Sequence, residues 1–308
     1  MTKPSSQKPK PTISIIGAGR LGTALALALA TRGYPIRALA ARRQSHARKA
    51  IALSDLPSQT LALGADQLEQ LPPSDLVLIT TPDDVIADIA RNFAKLRRST
   101  RHRATFLHTS GALSSAVLSP LAKAGFHTGS MHPLVSISAA RAGASALRGA
   151  FYCVEGDGVA MRFAKIIVRD LNGTAFTIKP ESKALYHAAA VMASPHMVAL
   201  FDLATEMLVY CGLKRKEARN VLAPLVQSTV NNLTRTSPER ALTGTFARGD
   251  LATVKRHLKA LSTKQLAEAL EVYKLLGLHS LQLAAKNNLD PKLANQIGKL
   301  LHTKVTKK

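Results

Sequence analysis

The chain has 308 residues, enough for two domains of ordinary size; 46% are apolar but only 4% aromatic, with no Trp, so its cores must be built from Ala, Leu, Val and Ile. Against 19 Asp and Glu stand 42 Lys and Arg, a net charge of +23 that attracts polyanions, yet there is no recognisable nucleic-acid module and no aromatic platform, so nucleic acid is not the favoured partner. Carboxylates are too rare for a paired-acid mechanism, no Cys or His spacing suits a metal, and neither a G-x-S-x-G elbow nor an H-E-x-x-H helix is present.

Residues 1–11 are polar and basic without an apolar run, which predicts a disordered tail and no signal peptide. With only Cys153 and Cys211, both in apolar surroundings and expected as buried thiols, a reducing, cytoplasmic setting is expected. A β-branched strand, Ile13–Ile16, then enters Gly17-Ala18-Gly19-Arg20-Leu21-Gly22, and an Ala/Leu helix follows until Gly33. Strand, G-x-G-x-x-G and helix in that order are the context in which the glycines carry meaning. Gly17 permits the tight turn, Gly19 lets a pyrophosphate approach the backbone, and Gly22 allows close helix–sheet packing. Arg20 and Leu21 complete the loop, and the helix N-terminus offers N–H groups and partial positive charge. These residues predict a Rossmann-type dinucleotide-binding domain.

The second strand, Ile36–Ala40, decides which dinucleotide. An NAD site places Asp or Glu about 20 residues after the loop to hold the ribose 2′-hydroxyl. Here the stretch reads Ala40-Ala41-Arg42-Arg43-Gln44-Ser45, with two guanidinium groups and a hydroxyl suited to a 2′-phosphate. NADP is therefore expected as the cofactor, with NAD less favoured. The arginines also belong to a basic cluster, Arg32 to Lys49, matched by a second from Arg91 to Arg103.

Leu76–Thr80 reads as a buried strand, placing Thr80, Thr81 and Pro82 at the carboxyl end of the sheet, where ligands bind. Thr105–Leu107 leads into His108-Thr109-Ser110-Gly111-Ala112, expected near the nicotinamide, with Ser110 hydrogen-bonding a carboxamide or substrate. In Gly129-Ser130-Met131-His132-Pro133-Leu134, His132 is a candidate for binding a carboxylate or polarising a carbonyl, while the His-Pro step also suits a purely structural extended turn. Phe151–Val154 and Ala175–Ile178 complete a doubly wound, mainly parallel sheet over residues 12–179. From Glu181 the pattern turns helical: 181–212, 215–234, 251–261, 263–276 and a weaker pair to 302, giving an all-α domain over 180–303 and a basic tail at 304–308. The uncharged run Ala188–Phe201 is shorter than the ~20 residues of a membrane span, so a buried helix and no membrane are expected. The apolar helix 181–212 carries more apolar surface than a small domain should expose and predicts a homodimer core.

GAGRLG, LITTPDD, LHTSGAL, GSMHPL, YHAAAVMAS and FARGD, in this order, resemble the bacterial Rossmann-like proteins with a helical C-terminal domain of unknown function, often described only as NADP oxidoreductases. More distantly the chain is similar to the 6-phosphogluconate and 3-hydroxyisobutyrate dehydrogenases, pyrroline-5-carboxylate reductase and prephenate dehydrogenase, over roughly residues 12–280. The resemblance implies a C-terminal domain like that of 6-phosphogluconate dehydrogenase. Those hydroxyacid dehydrogenases place a Lys and an Asn four residues apart on the matching helix. Lys183 matches the Lys and is the expected proton donor, with a surface lysine as the alternative; His187 stands in place of the Asn, to orient substrate or share the proton, with a core histidine as the alternative. GSMHPL resembles the Gly-Ser-His-Pro segment of prephenate dehydrogenases with one Met inserted. Pro195 and His196 replace an Asn and an aromatic, and Thr245 replaces a Pro. Arg248 and Asp250 are expected as a loop ion pair or, for Asp250, an N-cap of the helix from Leu251. The expected protein is an NADP-dependent oxidoreductase acting on a small, anionic carbonyl, imine or hydroxy-acid substrate at the domain interface; the alternative is an NADP-binding sensor or scaffold without turnover.

Overall fold

The computed structural model describes residues 9–96 and 104–303, so most of the predicted tail before residue 12, the tail at 304–308 and the second half of the Arg91–Arg103 cluster lie outside the described residues. The chain divides into two compact units, one ending at Ser194 and one starting at Pro195.

Short apolar runs with β-branched residues make the strands of the first unit, and amphipathic or Ala-rich stretches make its helices. In chain order these are β1 (Ile13–Ile16), α1 (Arg20–Ala30), β2 (Ile36–Ala40), α2 (Gln44–Leu53), β3 (Leu61–Leu63), β4 (Leu76–Ile79), α3 (Asp83–Leu96), β5 (Thr105–His108), α4 (Ser119–Lys123), β6 (His127–Pro133), α5 (Ala140–Ala146), β7 (Phe151–Gly156), α6 (Gly158–Asp170), β8 (Thr174–Phe176) and α7 (Lys183–Ala193). The strands form one sheet in the order β3-β2-β1-β4-β5-β6-β7-β8, parallel throughout except between β6 and β7. Strands β1, β4 and β5 are buried on both faces, as expected when helices cover a parallel sheet on either side. One face packs Ile13, Leu78, Leu107, Met131 and Val154 against α1 and α6. The other packs Val77, Ile79 and Phe106 against Ile86, Ala90 and Phe93 of α3, with Phe106 edge-on to both Phe93 and Phe126. Successive connections run in opposite directions from β1 and β4, which leaves a crevice between their carboxyl ends.

Two strands were not anticipated. The three-residue β3 is too short to show a period. β6 contains the Gly-Ser-Met-His-Pro segment read as a turn; its buried side chains include Thr128 and Ser130, so it lacks the apolar signature of a buried strand. The last strand ends at Phe176, close to the expected domain limit of 179, but the compact unit runs on to Ser194 because α7 packs Lys183 onto the sheet.

The second unit is helical: α8 (Pro195–Tyr210), α9 (Arg215–Arg235), α10 (Pro238–Ala241), α11 (Gly244–Ala247), α12 (Leu251–Leu261), α13 (Ala267–Lys286) and α14 (Pro291–His302). Its core joins Val254, Leu281, Ile297 and Leu301. Asp250 accepts a hydrogen bond from Thr253 N and is the N-cap of α12; no ion pair joins it to Arg248 among the described residues. Helix α13 continues ten residues past the predicted end at 276, because Gly277 is not a terminator there: a methyl at that position would strike the Phe246 ring. The predicted single helix 181–212 is broken at Ser194, whose φ of −128° and ψ of −75° lie outside the helical region. Pro195 supplies no N–H and pushes its predecessor out of the helical conformation. The expectation that this stretch is buried is overturned as well: the run Pro180–Tyr210 is scarcely covered, and by length and composition it is long and apolar enough to cross a membrane. Cys153 is buried as expected, whereas Cys211, at the end of α8, is exposed.

Candidate active site

At the crevice the chain turns sharply out of β1 through Gly17, whose φ of +115° only glycine adopts without strain. A methyl on Gly17 would collide with the backbone of Thr80 and Thr81 beyond β4, and one on Gly22 would collide with the Gly17 carbonyl oxygen, so both glycines hold α1 close to the sheet. Gly19 has open space on its Cα, as a residue facing a ligand requires. Gly19 caps α1 without a side-chain hydrogen bond, and no acidic residue occupies the first turn, so the N–H groups there stay available to an anion. Thr80 Oγ1 donates to the Gly17 carbonyl at 2.6 Å and ties the two loops together.

A cavity of about 590 Å³ opens over this loop, lined by Gly17, Ala18 and Gly19 on one side, Thr80, Thr81 and Pro82 on another, Ala41, Arg42 and His46 beyond β2, and the apolar Leu68 and Ile89. The shape and chemistry suit a dinucleotide: glycine backbone for phosphates, an apolar slot for a base, a guanidinium beside it. Arg42 is on the wall, but the other expected contacts beyond β2 are not. Arg43 is the N-cap residue of α2 and Ser45 lies in its first turn, both exposed. His46, in the first turn of α2, lines the cavity beside Arg42. Nothing in the sequence singled it out except its position on the helix following Arg42. Arg20 is exposed at the start of α1 and lines neither cavity, while Leu21 lines the second.

The second cavity, of about 250 Å³, adjoins the first and shares Thr80 and Thr81 with it. Its walls include Ser110 and Gly111 after β5, His132 and Pro133 of β6, Asp83 of α3 and His187 of α7. Among the described residues no Arg or Lys lines it. Two of its polar atoms are buried without a hydrogen-bond partner among the described residues: Thr81 Oγ1, at the junction of the two cavities, and His187 Nδ1. Buried polar atoms are nearly always paired, so such orphans point to a missing partner. His132 Nδ1 lies 2.8 Å from the Tyr186 hydroxyl, and its ring stands edge-on to those of Tyr186 and His187.

Beneath this cavity runs a row of polar side chains. The register aligns His108 of β5, Ser130 of β6 and Glu155 of β7 side by side on one face of the sheet. Lys183 reaches over them from α7: its Nζ donates to Ser130 Oγ at 2.8 Å and to the Ser110 carbonyl at 3.3 Å, and the residue is only 1% exposed. It is thus no surface lysine. Burial lowers its pKa, and the neighbouring Cys153, Glu155 and Asp83 partly offset that. Glu155 accepts from Ser115 N at 2.6 Å and from Ser115 Oγ at 3.0 Å. Burial, reinforced by the Lys183 charge, holds His108 down to about 3 and His132 down to about 4, so both rings are neutral at pH 7.

Ser110 does not offer its hydroxyl to a ligand as expected. Its Oγ donates to Asp83 at 2.8 Å and accepts from the N–H groups of Ala112 and Leu113, so it shapes the turn after β5. His187 Nδ1 is buried with no hydrogen-bond partner among the described residues. The structure therefore brings His132, His187, Ser110 and Lys183 together, with the first two on the cavity wall and Lys183 behind it. Tyr186 was missed in the sequence; a tyrosine one residue before His187 was the available signal. Among the described residues no cluster of three or more His, Cys, Asp or Glu is placed to hold a metal.

Residues 1–133 match a Rossmann-like domain, and residues 150–280 match a domain of unknown function, DUF2520. Among solved structures the chain is similar to a candidate NADP oxidoreductase of Bacteroides fragilis, with 22% identity, a TM-score of 0.71, and 89% of this chain and 99% of that one covered. It is also similar to protein TM1727 of Thermotoga maritima, with 22% identity, a TM-score of 0.60 and coverages of 94% and 98%. A pyrroline carboxylate reductase of Plasmodium falciparum, solved with NADP bound, is 12% identical with a TM-score of 0.57 and coverages of 95% and 100%. At these identities the likeness is one of fold. A comparison with curated proteins finds no match.

Proposed function

Starting from a chain that joins a Rossmann-like domain to the domain of unknown function DUF2520, we propose that the protein is an oxidoreductase using a nicotinamide dinucleotide, NADP in preference to NAD, on a small carbonyl, imine or alcohol substrate. The observation that carries this reading is the pair of adjoining cavities at the carboxyl edge of the sheet, one built around the glycine loop and the other around His132 and His187, sharing the Thr80–Thr81 wall. When bound, the nicotinamide supplies or accepts the hydride. The glycine loop and the N-terminus of α1 hold the pyrophosphate. Arg42, with no carboxylate beside it after β2, receives the 2′-phosphate. His132 and His187 touch the substrate. Lys183, the expected proton donor, is absent from the cavity wall; it acts through Ser130 and the Ser110 carbonyl, putting a positive charge under the floor where negative charge develops on a reacting oxygen. Among the described residues the wall offers no Arg or Lys for an anionic group, so a charged substrate is drawn in by the chain's overall basic excess.

A second copy of the chain is the partner we assign to the uncovered apolar residues of α7 and α8, Leu185, Met192, Met197 and Val198 among them. The free thiols Cys153 and Cys211 suit a cytoplasmic setting. The reading is tested by titrating the protein with NADPH and NADH at physiological salt, following nicotinamide fluorescence. NADPH binds more tightly in the wild type, and Arg42→Ala weakens NADPH about tenfold while leaving NADH nearly unchanged, the effect of losing one charge-assisted hydrogen bond. Equal affinities in the wild type would remove the NADP preference, and binding of neither would remove the oxidoreductase.

A further inference from the structure

Past β2 the chain runs through Arg42-Arg43-Gln44-Ser45-His46-Ala47-Arg48-Lys49, and the rotation of α2 decides which of these side chains can meet a ligand. Ala47 and Ala50 are buried against the core, and Gln44 Nε2 donates to the Ala62 carbonyl of β3 at 3.0 Å. Together these contacts fasten the first turn of α2 to the sheet and fix the face it turns to the larger cavity. Arg42 and His46 line that cavity, whereas Arg43, Ser45 and Lys49 are exposed and do not. Arg48 Nη2 is turned back to Gln44 Oε1, at 3.0 Å. Ala65 and Leu68, which follow β3, complete this corner of the wall, β3 being the neighbour of β2 in the sheet. Asp84 is the one carboxylate on the wall among the described residues. It follows β4, and β1 stands between β4 and β2, so at the usual spacing of neighbouring strands it belongs to a corner about 10 Å away. Neither Arg42 nor His46 has a hydrogen-bond or ion-pair partner among the described residues, so the donors of both are free for a ligand.

We infer that His46 is a second specificity-determining residue for the cofactor: together with Arg42 it holds the 2′-phosphate of NADP, and the preference over NAD rests on this pair and not on the neighbouring basic side chains. The inference rests on the oxidoreductase reading and adds a residue to its cofactor site. A phosphate monoester carries close to two negative charges and three acceptor oxygens. A guanidinium fork takes two of those oxygens in parallel, which leaves one for a further donor. An imidazole carries an N–H in either neutral tautomer and two as a cation, so His46 is a donor whichever ring nitrogen holds the proton. The ribose 2′-hydroxyl that NAD offers instead is neutral and has a single oxygen, so it gains little from two basic side chains. Discrimination between the cofactors is then the difference between contacts made to the phosphate and contacts that NAD cannot make.

The test is fluorescence titration with NADPH and NADH of the wild type, His46→Ala, His46→Gln, Arg43→Ala and the double variant Arg42→Ala/His46→Ala, with adenosine 2′,5′-bisphosphate and adenosine 5′-monophosphate as competing probes. His46→Ala weakens NADPH about fivefold, the loss of one hydrogen bond, and leaves NADH unchanged, which also shows that the variant is folded. His46→Gln keeps an N–H donor and recovers part of the loss. Arg43→Ala behaves as the wild type, and the double variant binds the two cofactors alike. Adenosine 2′,5′-bisphosphate loses the same factor as NADPH on His46→Ala, and adenosine 5′-monophosphate loses none. Equal weakening of NADPH and NADH by His46→Ala would put the imidazole against the adenosine that both share and overturn the inference. A loss of NADPH affinity on Arg43→Ala that His46→Ala does not show overturns it as well. The two levels separate cleanly. If the wild type prefers NADPH and His46→Ala leaves that preference intact, only the role of His46 is lost. If the wild type binds neither cofactor, the oxidoreductase reading falls and takes the inference with it.

Discussion

Lys183 is the residue whose environment departs most from its type. An ammonium withdrawn from water costs several kcal/mol unless its donors are satisfied, and here Ser130 Oγ and the Ser110 carbonyl satisfy two of them while Glu155 and Cys153 lie nearby. Removing one member of a buried polar set leaves the others unsatisfied, at about 1–3 kcal/mol for each group so stranded. Lys183→Met is therefore expected to fold with a melting temperature several degrees below the wild type. The charge it removes is one of those that depress His132. The His132 titration midpoint, about 4 in the wild type, rises toward the ordinary value but stays below it, because burial is the larger cause and remains. An imidazole titration by NMR that leaves the midpoint in place would show that Lys183 does not reach His132 electrostatically.

Elements in this chain were legible to the extent that hydropathy and glycine spelled them out. β1, the loop and α1 are visible because a β-branched run, three glycines and an Ala/Leu stretch each have one reading, and the same holds for β2, β4 and β5. β6 was not legible: a strand that buries Thr128 and Ser130 looks polar until one knows that Lys183, 53 residues from Ser130, supplies the partner. The pairing of His132 with Tyr186 likewise depends on two segments 54 residues apart, and single-sequence patterns carry no such distance. The glycine loop and Arg42 could be read locally; that His46 lines the cavity while Arg43 and Ser45 do not follows from where α2 begins, and boundaries are the least certain part of a pattern. Helix ends add their own prediction. Asp157 caps α6 by accepting from Val159 N and Ala160 N, and it also accepts from Thr128 N at 2.7 Å, fastening β6 to the helix. Burial alone would raise its pKa, but the N–H groups of Ala160, Thr128 and Val159 outweigh that and hold the carboxyl below its ordinary value. Its contribution is therefore complete above the ordinary carboxyl range and is lost as pH falls through the lowered value. Asp157→Ala should cost about 1–2 kcal/mol at pH 7 by urea denaturation, and the gap between variant and wild type should narrow as the pH approaches 3. A gap independent of pH would mean that the side chain acts by packing and not by charge.

For the molecule as a whole, the uncovered apolar run from α7 into α8 sets the expected assembly. Side chains such as Leu185 at 76% and Met192 and Val198 at 69% exposure are costly for a soluble monomer. Sedimentation at micromolar concentration is expected to give a dimer, and Val198→Glu is expected to shift it toward monomer by placing a charge in an apolar interface. A monomeric wild type would leave that surface without its assigned partner.

The buried lysine also imposes an order of events on synthesis. Ser110, Ser130 and Glu155 leave the ribosome well before Lys183, which follows Ser110 by 73 residues. N-terminal domains generally fold first as the chain emerges, but this one cannot close its polar row until the first turn of α7 is out. Until then the nascent sheet carries a sunken carboxylate with no ammonium over it. Translation past the last strand is thus a condition for the Rossmann-like half to reach its final state, and a chain cut at 179, where the strand pattern stops, would be a domain missing its own keystone.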